Sequence, residues 1–441
     1  MQNTTIAHFI FGGIMEKAIN LQNRHWSNGR YEDYLERKLF EVIKKQLALK
    51  EMLVLTGIRR SGKSTIFKMI INYLLDSGIN QGAILSINFD DPFFIDVCKD
   101  PRNLETVIET AEKLTGRKVE YIFLDEIQQV NSWEKFVKSA YDSGRFKKIC
   151  ITGSNSSLLE GEYATRLSGR YIVSQVYPYS FSERLGHIGI KDALSLYERK
   201  SEVLAIVDDM LEFGGFPEVV RAKDEENRRD IVLSYYETII LKDCIANSTV
   251  REVKGFRQLV HYLMSNISAL YSYNSLGKKM ESSDMSIKEF VQLLEKSFLI
   301  KEVPLFSYSV ATQVRNKKKV YCEDNSFPAN ISFRFSANKG NLFENLVFTE
   351  LSKLGAELFY FSDTYECDFI VKHKDSLAAV QVAYEFAGET TFEREVRGLR
   401  KAMDALGLKT GTIITYNTEM ELDGILAIPF WKFNGTDSIV V

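Results

Sequence analysis

The chain has 441 residues, 45% hydrophobic and 26% charged, with a formal net charge of −3. That length exceeds one small core and implies two or three domains, while the near-neutral balance excludes a whole-molecule field that gathers nucleic acid. With 12% aromatics and only 7 prolines, the composition also argues against long disordered linkers.

Residues 6–15 are apolar but lack a basic leader and are too short to span a bilayer, so neither a signal peptide nor a membrane segment is expected. Met15 is an alternative start. Residues 1–19 are read as an N-terminal extension. Cys98, Cys150, Cys244, Cys322 and Cys367 are scattered without a Cys-x-x-Cys pair, which implies reduced thiols in a cytoplasmic protein. The histidines show no ligand spacing, so no zinc site is expected.

Residues 31–49 space apolar side chains at helical intervals. Residues 51–56 form a short apolar run ending at a glycine, the pattern of a buried strand feeding a loop. Helical spacing returns at residues 64–76. Strands then alternate with helices: a strand at 83–89, a helix at 104–114, a strand at 119–124, a helix at 133–141 and a strand at 148–152. That alternation predicts a parallel sheet with helices on both faces, placed at residues 20–185. Residues 186–270 read as a helical lid, broken at 213–217. Residues 271–328 read as helix, turn, helix and two strands, a winged helix-turn-helix. A polar linker at 329–340 leads to a small α/β domain at 341–441.

The segment Gly57, Ile58, Arg59, Arg60, Ser61, Gly62, Lys63, Ser64 matches the full phosphate-loop pattern between a strand and a helix. Gly57, Arg59, Arg60, Ser61, Gly62, Lys63, Ser64 and Thr65 are therefore the expected ATP-binding residues. Inward N–H groups and the helix N-terminus suit phosphate, Lys63 supplies a charge to the β- and γ-phosphates, and Ser64 offers a hydroxyl to Mg²⁺. The strand at 121–124 ends in Asp125 and Glu126. Asp125 is expected to hold the Mg²⁺ shell and Glu126 to deprotonate the attacking water. The spacing predicts a P-loop NTPase sheet followed by the helical and winged regions and the C-terminal domain.

The runs at 57–65, 121–136, 151–171, 178–183 and 213–220 resemble a family of bacterial and archaeal AAA+-type ATPases, over roughly residues 35–441. The resemblance implies an ATPase domain, a winged-helix segment and a C-terminal domain of uncharacterised function. It makes Ser154 or Asn155 the candidate contact to the γ-phosphate, with a polar turn capping the next helix as the alternative. It makes Arg166 or Arg170 a candidate arginine finger toward a neighbouring subunit, with a surface ion pair as the alternative. A finger acting in trans requires a homo-oligomer. The C-terminal domain resembles a restriction-endonuclease fold. Glu344 and Asp368 match two of its acidic positions, but Gln381 and Ala383 replace the acid and lysine of the third motif, so an inactive nuclease-like domain is expected.

Arg315, Lys317, Lys318 and Lys319 are expected at the tip of the wing, with Lys278 and Lys279 in its helical part. They mark either a contact to DNA or RNA phosphates or a solvated hairpin tip. An ATP-switched nucleic-acid-binding protein is thus the rival to an ATP hydrolase, and a metal-dependent nuclease is a weaker one.

Overall fold

A computed structural model describes residues 13, 15–27, 29–159, 165–246, 252–331, 339–385 and 389–433. The chain divides into two compact units, Met1–Val176 and Tyr177–Val441. Most of the apolar stretch at 6–15 and the middle of the expected linker, 332–338, lie outside the described residues.

The first unit is built on five strands: β1 (Met52–Thr56), β2 (Ile84–Asn88), β3 (Tyr121–Asp125), β4 (Lys148–Thr152) and β5 (Tyr171–Gln175). They lie parallel in the order β2-β3-β4-β1-β5. β1 shows why both faces are covered. Met52 and Val54 enter one apolar cluster, and Leu53 and Leu55 enter the other, as the two-residue period of a strand dictates. Helix Lys63–Asp76 contributes Ile66, Phe67 and Ile70 to one cluster, and helix Trp133–Asp142 contributes Trp133 and Val137 to the other. This is the P-loop NTPase architecture.

The expected N-terminal extension overlaps this core, because Ala18 and Ile19 are buried in it. Just beyond them, side chains dress the edge of β2. Asn23 accepts from the Ser86 N–H at 2.8 Å and donates to the Ser86 carbonyl at 2.9 Å. Gln22 accepts from the Asn88 N–H at 2.8 Å. Two side-chain amides thus stand in for a further strand and satisfy an open edge.

In the second unit, β6 (Leu270–Tyr271), β7 (Ile300–Pro304) and β8 (Lys318–Cys322) form an antiparallel sheet with β8 in the centre, next to helices Tyr273–Met280 and Asp284–Lys296. Helix Val310–Arg315 lies between β7 and β8, where the sequence suggested a plain hairpin tip. The remaining strands are β9 (Glu357–Ser362), β10 (Glu366–His373), β11 (Ser376–Ala383), β12 (Gly411–Thr415), β13 (Met420–Leu422) and β14 (Ile425–Pro429). They make a mixed sheet ordered β13-β14-β12-β11-β10-β9, with helices Lys339–Ser352 and Glu389–Leu406 in the same domain. One apolar cluster joins Val203 and Met210, Val303 of β7, Tyr321 of β8, Phe343, Phe369 of β10 and Ile414 of β12. The helical region, the small sheet and the C-terminal sheet therefore share a core. Helix Ser326–Ile331 also runs into the stretch read as linker.

The expectation that Lys319 sits on an exposed tip is overturned. β8 is the central strand of its sheet, and Lys319 is 2% exposed. Both faces of a central strand packed on other elements are interior, so Lys319 is withdrawn as a nucleic-acid contact. Lys318 is also mostly covered, 4.0 Å from Glu302 and over the ring of Tyr273. Lys278, Lys279, Arg315 and Lys317 remain exposed.

Candidate functional site

The loop after β1 needs glycine at two places. Gly57 has φ +134°, and a Cβ there would lie 2.2 Å from the Val176 carbonyl oxygen. Gly62, just before helix Lys63–Asp76, has φ +103°. Neither conformation suits an L side chain. Arg60 also lies in the left-handed region, at φ 69°. Between them the chain wraps so that Lys63 Nζ, itself buried, donates to the Gly57 carbonyl at 2.9 Å and the Ile58 carbonyl at 3.0 Å. Arg37 Nη1 donates to the Ser61 carbonyl at 3.0 Å and fixes the loop from outside. The Ser61 hydroxyl is buried and has no hydrogen-bond partner.

The ends of β3 and β4 complete the site. Leu124 pairs with Ile151, so the following residues, Asp125 and Thr152, come side by side. The Thr152 hydroxyl donates to Asp125 and accepts the Glu126 N–H at 2.9 Å. The Ser64 hydroxyl lies close enough to favour the Asp125 carboxylate, so the start of helix Lys63–Asp76 faces the end of β3. Burial pushes the Asp125 carboxyl above the usual carboxylate range and the Glu126 charge adds to this, while the Ser64 and Thr152 hydroxyls and the Lys63 charge oppose it. Glu126 takes a left-handed backbone at φ 54°, and its carboxylate accepts from Gln128 and, at 3.3 Å, from Ser154. Arg59 closes the ring, 3.5 Å from the Ser154 hydroxyl and 3.6 Å from Asp90.

The structure thus brings together Gly57, Arg59, Ser61, Gly62, Lys63, Ser64, Asp125, Glu126 and Ser154. Arg60 is exposed on the loop, Thr65 is half-buried in the first helical turn, and Asn155 is half-buried one residue past Ser154. Arg166 is placed elsewhere, 2.6 Å from Glu134, and Arg170 lies 2.8 Å from Asp142, both partners on helix Trp133–Asp142. Sequence reading missed Thr152, Gln128 and Arg37. The first was legible in principle, since parallel neighbours in register share a strand end. Arg37 carried no signal.

Ser64 and Asp125 are a fitting donor set for Mg²⁺, which is held by one or two protein oxygens plus phosphate and water. Among the described residues no group of three or more His, Cys, Asp or Glu is placed to hold a metal ion. No helix among them is long and apolar enough to cross a membrane.

In the second unit, Glu344, Asp368, Gln381 and Ala383 line one cavity of about 720 Å³. Gln381 accepts from the Asp368 N–H at 3.1 Å and donates to Glu395. Lys319, which the sequence placed at the tip of the wing, lies in the same cavity.

The description "AAA domain" matches residues 49–185, and two domains of unknown function, DUF8612 and DUF4143, match residues 205–334 and 339–433. The uncharacterized protein MJ1544 of Methanocaldococcus jannaschii is 32% identical over 425 residues, covering 90% of this chain and 92% of that one. An uncharacterized protein of Haemophilus influenzae is 30% identical over 381 residues, covering 85% and 92%. The Aeropyrum pernix ORC1 protein in complex with DNA is similar at 12% identity and a TM-score of 0.33, covering 68% of this chain and 92% of that one. At that level nothing about ligand or assembly passes to this chain. The chain belongs to the same family as MJ1544 and the Haemophilus protein, and it carries an AAA-type ATPase domain of P-loop fold.

Proposed function

We propose that this protein binds Mg-ATP in the loop after β1 and hydrolyses it, and that nucleotide state changes the disposition of the second unit. The observation that carries this reading is the buried Lys63 ammonium wrapped by the Gly57 and Ile58 carbonyls, with its charge and the Ser64 hydroxyl both favouring the Asp125 carboxylate and Glu126 next in the chain. Backbone N–H groups of residues 59–64 hold the phosphates, and Lys63 exchanges its loop carbonyls for the β- and γ-phosphate oxygens. Ser64 and Asp125 hold Mg²⁺, which when bound neutralises charge building on those phosphates. Glu126 accepts the proton of the attacking water, and the bonds from Gln128 and Ser154 support its orientation. Ser154 or Asn155 meets the γ-phosphate.

Arg170 is the better candidate finger toward a neighbouring copy in a homo-oligomer. Its pair with Asp142 is partly exposed, with Asp142 itself at the surface, and releases at little cost. Arg166 instead pairs with a buried Glu134 whose other oxygen has no partner, so moving Arg166 strands a charge. Nucleic-acid binding through the exposed Lys278, Lys279, Arg315 and Lys317 is the second reading, without Lys319.

The test is Mg-ATP turnover by purified wild type, Lys63→Ala and Glu126→Gln, with nucleotide binding measured alongside. Loss of the base predicts that Glu126→Gln binds ATP normally while kcat falls by roughly 10²–10⁴-fold. Lys63→Ala is expected to lose turnover altogether. Wild-type turnover in either variant contradicts the assignment.

A further inference from the structure

Two adjacent arginines in the phosphate loop go different ways. Arg60, left-handed at φ 69°, is exposed, whereas the Arg59 side chain is only 11% exposed and turns in among the strand ends. Its guanidinium lies 3.6 Å from Asp90, just past the end of β2, and 3.5 Å from the Ser154 hydroxyl, just past the end of β4. That hydroxyl is in turn 3.3 Å from the Glu126 carboxylate, just past the end of β3. Arg59 therefore stands one hydroxyl away from the proposed base. The attacking water lies between that base and the γ-phosphorus, so the same side of the site receives the γ-phosphate. Both contacts are longer than the roughly 2.7–2.9 Å of a strong charge-assisted hydrogen bond. The Asp90 side chain is 31% exposed, so exchanging this pair for phosphate oxygens costs little.

We propose that Arg59 is a catalytic residue of this site, a cation that the chain's own phosphate loop supplies to the γ-phosphate of the bound nucleotide. The proposal rests on the Mg-ATP reading above and adds to it the side chain that tells ATP from ADP. A guanidinium stays charged at every working pH, and its flat fork matches two oxygens of one phosphate. In the step it serves, the water oxygen bonds to the γ-phosphorus and the water's proton goes to Glu126. The bond from that phosphorus to the bridging oxygen breaks, and its electron pair leaves with ADP. Charge spreads over the γ-oxygens on the way, which is where an arginine lowers the barrier; Arg59 itself gains and loses no proton. Arg170 would serve the nucleotide of a neighbouring copy. Arg59 serves its own, so the γ-phosphate meets a second cation after Lys63 without a neighbour.

The test uses the full chain, with Arg59→Ala and Arg59→Gln made in parallel; the second keeps much of the side chain's reach and removes its charge. Affinities for ADP and for a non-hydrolysable ATP analogue, both with Mg²⁺, are measured by calorimetry, and turnover by phosphate release. Both variants are expected to bind ADP as wild type does. They are expected to bind the ATP analogue at least about tenfold more weakly, the worth of a hydrogen bond to a charged group, and to lose roughly 10³-fold in kcat. Mixing Arg59→Ala with Lys63→Ala, which keeps Arg59 but loses turnover, is expected to restore nothing, because the arginine serves only its own chain. If Arg59→Ala fails to bind ADP, Arg59→Gln decides. Three results overturn the proposal: ADP and ATP affinities that fall together in both variants, a preference for the ATP analogue unchanged in both, or turnover recovered on mixing. A wild type that binds no nucleotide overturns the Mg-ATP reading and this proposal with it, a failure read without any variant.

Discussion

Asp125 sits where a carboxylate is least comfortable, buried and beside the charge of Glu126, with its pKa raised despite the Ser64 and Thr152 hydroxyls. A carboxylate whose folded pKa lies above its unfolded value favours the folded state at low pH. That contribution is full below the unfolded value and is lost as pH rises through the folded one. At neutral pH the buried Asp125 therefore weakens the fold. Asp125→Asn is expected to raise the melting temperature at pH 7, with the gain shrinking toward pH 4, and to lose Mg-dependent turnover. Thermal melts across that range check it, and a variant less stable than wild type at pH 7 contradicts it. Asp125, Glu126 and Lys63 were all legible in the sequence, because strand, glycine loop and helix are adjacent and each keeps its local pattern. Lys319 was not. A lysine in a basic run reads as solvated, and its burial depends on Glu344, Glu366 and Asp368, which no local pattern links to it.

At the scale of elements, β2 is an edge strand whose open groups are met by side chains rather than by a neighbouring strand. Asn23 is fully buried, and besides its two bonds to Ser86 it donates to the Ile19 carbonyl at 2.8 Å. Truncating it leaves the N–H and carbonyl of Ser86 without these partners in a packed setting. Asn23→Ala is expected to destabilise the first unit by roughly 2–4 kcal/mol, read by chemical denaturation. A change within experimental error would show that the N-terminal segment does not seal this edge. Sequence patterns find backbone ladders by their two-residue alternation, so an edge covered by amide side chains left no trace. The parallel sheet was legible for the opposite reason, since β1 and β4 are short apolar runs buried on both faces.

At the scale of the whole molecule, the sequence suggested a helical lid, a wing and a C-terminal domain as successive parts. The structure gives the second unit one shared apolar cluster, with the small sheet held to the C-terminal elements by Tyr321 packed on Phe348 and by the Lys319 contacts. Boundaries read from composition miss such sharing, because the residues that join the parts are apolar in either arrangement. A nucleotide-driven change is then expected to move this unit as one body. All of this presupposes that the loop of the first unit holds a triphosphate. The most direct test is calorimetric titration of the full chain with ATP and Mg²⁺, in wild type and in Lys63→Ala. The account predicts saturable binding by wild type that weakens at least about tenfold without the Lys63 ammonium, a loss of roughly 1.4 kcal/mol or more. Equal affinity in the two proteins, or no binding by wild type, would contradict it.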